Sequence, residues 1–310
     1  MRQPKYLPPT NRRRMNQPHP QRRQPRKRRR RPLFVLLFFA LVAAVVLFAL
    51  RQSGEPIAEV LLPIEEDEVY DGVRLSPVPL ADITDTGYLK LVNRELATNR
   101  PIDYSYIVDA WPTVPVRATD VRLHRTALNA IAALFAEYPE EDVLFVTSGY
   151  RSEARQAEIY ANAVDRMYVL PAGHSEHNLG LAADILAAGI AMSEMSSTPE
   201  ALWLADNAWR HGLVLRYPYG TTHITGVAHE PWHFRYVGQV HAWYMHTHGM
   251  VLEQYLEFLE MSGGFTAELS GVTYHVMYHH AEGGSLLVPS DLQVEISQSN
   301  RGGFIITARE

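Results

Sequence analysis

Apolar residues recur every three or four positions in several stretches of the chain, which is the spacing of one helix face. Leu128, Ile131, Phe135 and Tyr138 follow this spacing. They predict a helix that Asp120 caps at its start. Further helices are predicted around residues 156–160, at residues 200–211 with a glycine stop at residue 212, and at residues 239–260.

Short runs of β-branched and aromatic residues alternate with these helices and predict strands. The runs lie at residues 143–147, 181–186, 213–217 and 232–237. Two more runs, at residues 272–276 and 303–307, suggest a small all-β segment at the end of the chain. Because helices and strands follow one another without a regular βαβ rhythm, the pattern predicts an α+β domain with a small mixed or antiparallel sheet and flanking helices.

The longest apolar run lies at residues 32–50, which contain no charged residue. A run of about 20 apolar residues is long enough to cross a bilayer as a helix. The apolar region of a cleaved signal peptide is shorter, at roughly 7–15 residues. We therefore expect residues 32–50 to form one uncleaved transmembrane helix that anchors the chain in the cell membrane.

A basic arm precedes this run, since residues 1–31 hold 13 of the 29 Lys and Arg and no acidic residue. Positively charged flanks stay on the cytoplasmic side of a membrane. We expect the arm in the cytoplasm and the catalytic part of the chain outside, in an extracellular or periplasmic position. A nucleic-acid-binding tail is the alternative, but the adjoining apolar run already explains the charge.

The remainder of the chain is acidic, because 16 Lys and Arg stand against 34 Asp and Glu and leave a formal charge of −18. This charge argues against nucleic acid as a partner of the outer part. The chain has no cysteine, which excludes disulfides and thiolate metal ligands. Residues 51–95 are rich in Glu, Asp and Pro and predict a stalk. A main domain is expected at residues 96–260 and a β-rich segment at residues 261–310.

Two short motifs carry the residue types of a catalytic metal site. One reads SEHNLGLAAD from Ser175, and the other reads EPWH from Glu230. His177, Asp184 and His233 are three ligands of the kind that a catalytic zinc takes while a fourth position stays open. Glu230 lies three residues before a ligand, where a general base is needed. These residues predict a zinc hydrolase.

The spacing within the two motifs leaves alternatives open. His229 extends the second motif to HEPWH, which matches the helical zinc motif H-E-x-x-H, but Pro231 interrupts it and a strand is predicted next. On an ideal strand, Glu230 and His233 would point to opposite faces. The two ligands of the first motif are seven residues apart and would also point to opposite faces of an ideal strand. Gly180 and Pro231 are positions where the backbone could leave strand geometry.

A third motif, SGYRS at residues 148–152 followed by Gln156, completes a family pattern. Together with GHSEHNLGLAAD at residues 173–184 and EPWHFRYVG at residues 230–238, it resembles the VanY-type D-alanyl-D-alanine carboxypeptidases. These belong to a zinc peptidase group that includes lysostaphin-type endopeptidases and the hedgehog domain. The resemblance covers about residues 96–250.

The resemblance implies a role for each motif residue. His177, Asp184 and His233 would bind zinc. Glu230 would be the catalytic carboxylate, and Arg151 would stabilise the charge that develops on the scissile carbonyl.

Two further residues are candidates for binding the substrate. Gln156 would contact its carboxylate or backbone, or else lie on the exposed face of its helix. Ser175 would do the same, or else cap the turn before the first histidine ligand.

The substrate that the resemblance implies is the D-Ala-D-Ala end of peptidoglycan stem peptides, from which terminal D-alanine is released. An L,D-carboxypeptidase, a wall endopeptidase, a D,D-dipeptidase and a non-catalytic wall-binding module are the alternatives. The anchor counts against a dipeptidase, because free D-Ala-D-Ala is made in the cytoplasm. A binding module would be expected to have replaced a ligand or the base, and all four residues are present.

Overall fold

Short strands and helices alternate along the part of the chain that the computed structural model describes, namely residues 68–70, 72–99, 103–141 and 143–310. The strands are β1 (Glu68–Tyr70), β2 (Val73–Pro79), β3 (Ile107–Asp109), β4 (Arg122–His124), β5 (Leu144–Ser148), β6 (Ala182–Ala187), β7 (Leu213–Leu215), β8 (His233–Tyr236), β9 (Gly264–Leu269), β10 (Val272–His279), β11 (Ser285–Pro289), β12 (Gln293–Gln298) and β13 (Phe304–Arg309). The helices are α1 (Arg125–Glu137), α2 (Glu153–Ala161), α3 (Pro199–Asn207), α4 (Thr222–Thr225), α5 (Gln239–His248) and α6 (Leu252–Ser262).

The predicted basic arm and membrane anchor, residues 1–31 and 32–50, lie outside the described residues. Within the described ranges, none of the helices combines the length and the apolar character that crossing a membrane requires.

A four-stranded sheet with the order β5-β6-β8-β7 lies at the centre of the fold. Each pair of neighbouring strands runs antiparallel. Apolar residues of α1, α3 and the sheet form the main core, in which Ile131, Leu204 and Phe234 are fully buried. Because side chains alternate along a strand, the packing of Phe234 in this core directs its neighbours His233 and Arg235 to the other face of the sheet. The predicted α+β class with small antiparallel sheets is therefore confirmed.

Two helix boundaries differ from the prediction. The cap of α1 is His124 rather than Asp120, and its Nδ1 accepts a hydrogen bond from the Thr126 backbone N–H at 3.2 Å. The helix starts late because residues 122–124 pair with β3 as strand β4. The single stretch predicted at residues 239–260 is two helices, since Gly249 adopts a left-handed conformation (φ +62°) and ends α5.

The chain ends in β-structure, and part of the predicted stalk joins it. Strands β9 to β13 include an antiparallel sheet of order β12-β13-β10-β9, and β11 pairs with β2 in a second sheet. Leu75 of β2 is 1% exposed and packs with Met277 and Leu286. Residues 73–79 are therefore a strand that the C-terminal segment buries on one side.

Candidate active site

The residues that the sequence singles out lie around one cavity of about 200 Å³. Its lining includes all seven of them, namely Arg151, Gln156, Ser175, His177, Asp184, Glu230 and His233. The remaining wall is largely apolar or aromatic and includes Tyr168, Tyr217 and Trp232. A small cavity with convergent polar groups is the usual form of a binding site for a small ligand.

Two departures from strand geometry bring the metal-ligand candidates together. His177 lies on a turn of 3-10 helix, Glu176–Leu179, which Gly180 ends in a left-handed conformation (φ +69°). The chain then enters β6, where Asp184 stands directly opposite His233 of β8. The alternation of strand side chains therefore does not apply between His177 and Asp184. It does not apply between Glu230 and His233 either, because Glu230 precedes the strand.

The three side chains converge closely enough to share one ion. The Asp184 Oδ1 atom lies 3.4 Å from His177 Nε2 and 3.1 Å from His233 Nδ1. One ligand atom from each of the three residues lies within 4.8 Å of the others, and all three residues are buried. The arrangement could therefore hold a metal ion.

The protonation states of two of these groups suit a metal ligand. Burial alone would raise the pKa of Asp184, but the neighbouring imidazoles outweigh burial and hold this pKa well below its usual range. Burial and the nearby Arg151 guanidinium lower the pKa of His177 to about 4. At neutral pH, Asp184 is thus ionised and His177 is neutral. The His177 Nδ1–H donates to the Gly149 carbonyl at 2.7 Å, which leaves the Nε2 lone pair facing the cluster.

Glu230 stands beside the cluster with a carboxylate shielded from water. Glu230 is 5% exposed, and its Oε2 atom lies 3.5 Å from His233 Nδ1. Burial raises the pKa of Glu230 to about 8, against the opposing effect of His233. The backbone N–H of Glu230 donates to the Tyr217 carbonyl at 3.1 Å, which fixes the loop before β8. A carboxylate with a raised pKa suits proton transfer near neutral pH.

Arg151 follows the end of β5 and points toward the cluster. Its Nη2 atom lies 3.6 Å from Asp184 Oδ2, and its Nη1–H donates to Gln156 Oε1 at 2.9 Å. Gln156 in turn donates to the Leu170 carbonyl at 2.6 Å and is only 1% exposed. The alternative that Gln156 lies on an exposed helix face is therefore wrong. Its contacts hold the guanidinium in place, and its substrate role stays a prediction.

Two more alternatives are resolved by the geometry. Ser175 precedes the 3-10 turn but makes no capping hydrogen bond with its side chain, so the capping role is wrong. Residues 229–232 form a loop and turn that lead into β8 at His233, so HEPWH is not a helical zinc motif. The His229 Nδ1 atom instead contacts the Tyr217 carbonyl at 2.9 Å.

Sequence reasoning missed three contributors to this site. The carbonyl of Gly149 orients His177. The pattern of side chains along a sequence cannot predict a backbone hydrogen-bond acceptor. The ring of Tyr217 lies 4.9 Å from that of His233. Glu176 is 1% exposed and lies behind His233. Its position directly before His177 within the SEH string was the available signal.

The chain is similar in sequence to known D-alanyl-D-alanine carboxypeptidases. A family model described as VanY, D-alanyl-D-alanine carboxypeptidase, matches residues 120–239. Over 184 residues the chain is 36% identical to a D-alanyl-D-alanine carboxypeptidase of Enterococcus faecium, covering 57% of this chain and 59% of that protein. The chain thus spans less than two thirds of that relative.

A shorter relative and a solved structure extend the comparison. Over 135 residues the chain is 32% identical to VanXYC of Enterococcus gallinarum, a bifunctional D-Ala-D-Ala dipeptidase and D-Ala-D-Ala carboxypeptidase, covering 39% of this chain and 69% of that protein. The crystal structure of the vancomycin resistance D,D-dipeptidase VanXYg, in complex with a D-Ala-D-Ala phosphinate analog, matches with a TM-score of 0.64 and 27% identity, covering 72% of this chain and 94% of that one. The chain belongs to the VanY D-alanyl-D-alanine carboxypeptidase family.

Proposed function

We propose that this protein is a zinc-dependent carboxypeptidase that hydrolyses the terminal D-Ala-D-Ala bond of peptidoglycan stem peptides and releases D-alanine. The observation that carries the proposal is the convergence of His177, Asp184 and His233 beside the buried carboxylate of Glu230. Two imidazoles and one carboxylate are a donor set of the kind that catalytic zinc takes. Membership of this family supports a D-Ala-D-Ala substrate, as do the D-Ala-D-Ala dipeptidase and carboxypeptidase activities of its relatives.

The side chains around the cavity divide the work of hydrolysis. Zinc, when bound, would supply Lewis-acid activation of the attacking water. Glu230 accepts a proton from that water on its carboxylate and passes it to the amine nitrogen of D-alanine as the C–N bond breaks. Arg151 donates hydrogen bonds to the oxygen on which negative charge develops. Removing one such donor typically costs about 2.7–4 kcal/mol of transition-state stabilisation.

A second cavity supports a substrate longer than a dipeptide. It has a volume of about 580 Å³ and shares Arg151 with the first. Its lining includes Tyr104, Tyr150 and Glu153. A peptide whose scissile bond lies at Arg151 would have room there for the residues on the amino side of the bond. Gln156 and Ser175 line the smaller cavity, where they are candidates for contacting the terminal D-alanine.

The proposal is tested with stem pentapeptide, stem tetrapeptide and free D-Ala-D-Ala as substrates, with and without a chelator, and with products identified by mass spectrometry. We expect loss of one alanine from the pentapeptide, abolished by the chelator and restored by zinc. An intact pentapeptide beside a trimmed tetrapeptide would show L,D-carboxypeptidase activity instead. Binding of wall peptides without any cleavage by the zinc-loaded protein would favour a non-catalytic module.

We also propose that residues 32–50 anchor the protein in the cell membrane, with residues 1–31 in the cytoplasm and the catalytic domain outside. The uncharged apolar run and the basic arm before it support this orientation. Since the chain has no cysteine, single cysteines can be introduced as Thr10→Cys and Ser53→Cys. A membrane-impermeant maleimide added to intact cells should label only the second variant, and labelling of the first would contradict the orientation.

A further inference from the structure

A chain of buried charges runs behind the metal-ligand candidates and continues into helix α6. It consists of Glu176, Arg216, Arg235 and Glu253, whose exposed fractions are all 9% or less. Two carboxylates and two guanidinium groups cancel in formal charge. Burying four charges is costly unless each is paired and hydrogen-bonded. The contacts of each group therefore indicate the role of these buried charges.

Glu253 on α6 binds one end of Arg216 in a two-pronged contact. Arg216 Nη1–H and Nη2–H donate to the two Glu253 carboxylate oxygens at 2.9 and 2.7 Å. The Nε–H of the same guanidinium donates to Glu176 Oε1 at 2.8 Å. A guanidinium is rigid and planar, so the position of Glu253 determines where Arg216 holds the Glu176 carboxylate.

Arg235 fixes the same carboxylate oxygen from a second side. Its Nη1 atom lies 2.9 Å from Glu176 Oε1 as an ion pair without hydrogen-bond geometry. Its other nitrogens donate to backbone carbonyls, including that of Tyr88 at 3.0 Å. Both guanidinium groups thus engage Oε1 and leave the other oxygen, Oε2, for a different neighbour.

That neighbour is the metal-ligand candidate His233. Glu176 Oε2 lies 3.5 Å from His233 Nε2, and within the described residues neither buried atom has a hydrogen-bond partner. The other ring nitrogen, Nδ1, is the one that lies 3.1 Å from Asp184 Oδ1. The imidazole therefore turns Nδ1 to the cluster and Nε2 to the carboxylate. A hydrogen bond to the outer nitrogen fixes the tautomer and ring orientation of a histidine ligand.

We propose that Glu176 is a positioning residue for the metal centre, which holds His233 with its proton on Nε2 and its Nδ1 lone pair toward the metal, and that Glu253 sets the position of Glu176 through Arg216. This inference rests on the zinc site of the proposed function. It makes α6, which lies beyond the residues 120–239 that the family model matches, part of the metal centre.

Zinc affinity distinguishes this role from a merely structural one. Full-length wild-type protein and the variants Glu176→Gln and Glu253→Gln are titrated with zinc against a competing chelator, and thermal unfolding of the metal-free proteins checks that they fold. Glu257→Gln is the matched control, because Glu257 is an exposed carboxylate on the same helix.

We expect the zinc dissociation constant to rise by about 10–100-fold for Glu176→Gln and by about tenfold for Glu253→Gln, and to stay at the wild-type value for Glu257→Gln. A wild-type protein that binds no zinc would overturn the proposed function and this inference together. A wild-type protein that binds zinc, beside a folded Glu176→Gln variant of unchanged affinity, would overturn the inference alone.

A second measurement decides the question even if the variants do not fold. Nitrogen-15 NMR of histidine-labelled, zinc-loaded wild-type protein reports which ring nitrogen of each histidine carries a proton. We expect His233 to be protonated on Nε2 and metal-bound through Nδ1. The opposite assignment, with zinc on Nε2, would refute the positioning role of Glu176.

Discussion

The buried histidine of helix α5 should make the stability of this protein depend on pH. His241 is 4% exposed and lies between two hydroxyl groups. Its Nδ1 atom is 2.6 Å from the Tyr255 hydroxyl on α6, and its Nε2 atom is 2.8 Å from the Thr307 hydroxyl on β13. Burial lowers the pKa of His241 from 6.5 to about 3. The imidazole is therefore neutral in the folded protein throughout the mildly acidic range.

The direction of the effect follows from the two pKa values. Because the unfolded chain binds the proton near pH 6.5 and the folded chain only near pH 3, acid favours the unfolded state. The contribution of His241 to the free energy of unfolding is complete above pH 6.5 and is lost as pH falls toward 3. One pH unit in this window corresponds to about 1.4 kcal/mol, so at pH 5.5 the loss is about 1.4 kcal/mol.

Urea unfolding of metal-free protein at pH 7.5 and pH 5.5 measures this loss. The variant His241→Gln keeps a neutral donor and acceptor at the same place, and its stability should fall by about 1.4 kcal/mol less than that of the wild type between the two pH values. His248→Gln, at an exposed position of the same helix, should behave as the wild type does. An equal pH dependence in wild type and His241→Gln would refute the reasoning.

Three further changes test other parts of the structure. Arg151→Ala should keep its zinc content while kcat on stem pentapeptide falls by about 10²–10³-fold, whereas Arg155→Ala, at an exposed side chain, should retain the wild-type kcat. An Arg151→Ala enzyme with the wild-type kcat would remove this residue from the mechanism. Glu253→Gln should lower the free energy of unfolding measured with urea by about 3 kcal/mol, the lower end for breaking a buried ion pair, and Glu257→Gln should change it by less than about 0.5 kcal/mol. Similar losses in the two variants would contradict the buried pairing of Glu253. Gly180→Ala should unfold at a lower temperature in a thermal scan, because its φ is +69° and a Cβ atom would lie 2.5 Å from a side-chain atom of Ile107; unchanged thermal stability would contradict that geometry.

Local composition predicts the central elements of this fold well, and distant pairing limits the rest. The run at residues 181–186 corresponds to β6 at Ala182–Ala187, because a strand buried on both faces reads as a continuous apolar stretch. The start of α1 was misplaced because β4 pairs with β3. Strand β2 was not recognised because its partner β11 lies about 200 residues further along the chain.

In the candidate site too, local sequence predicts the residues, while their arrangement depends on pairing between distant segments. The motifs identify these cavity-lining residues because the members of each motif are close in sequence, with His177 seven residues from Asp184 and Glu230 three residues from His233. Spacing alone could not predict their convergence, which depends on the 3-10 turn that Gly180 ends and on the pairing of Asp184 with His233. The contact of Glu253 with Arg216 has no sequence signal, because the two residues come from separate segments.

The most direct test of the central claim is a comparison of wild-type protein with Glu230→Ala. Zinc per chain is measured by elemental analysis, and the products from stem pentapeptide are measured by mass spectrometry. We expect about one zinc ion per chain in both proteins, with D-alanine released by the wild type alone. Release of D-alanine by Glu230→Ala at the wild-type rate, or release by a wild-type protein without zinc, would contradict it.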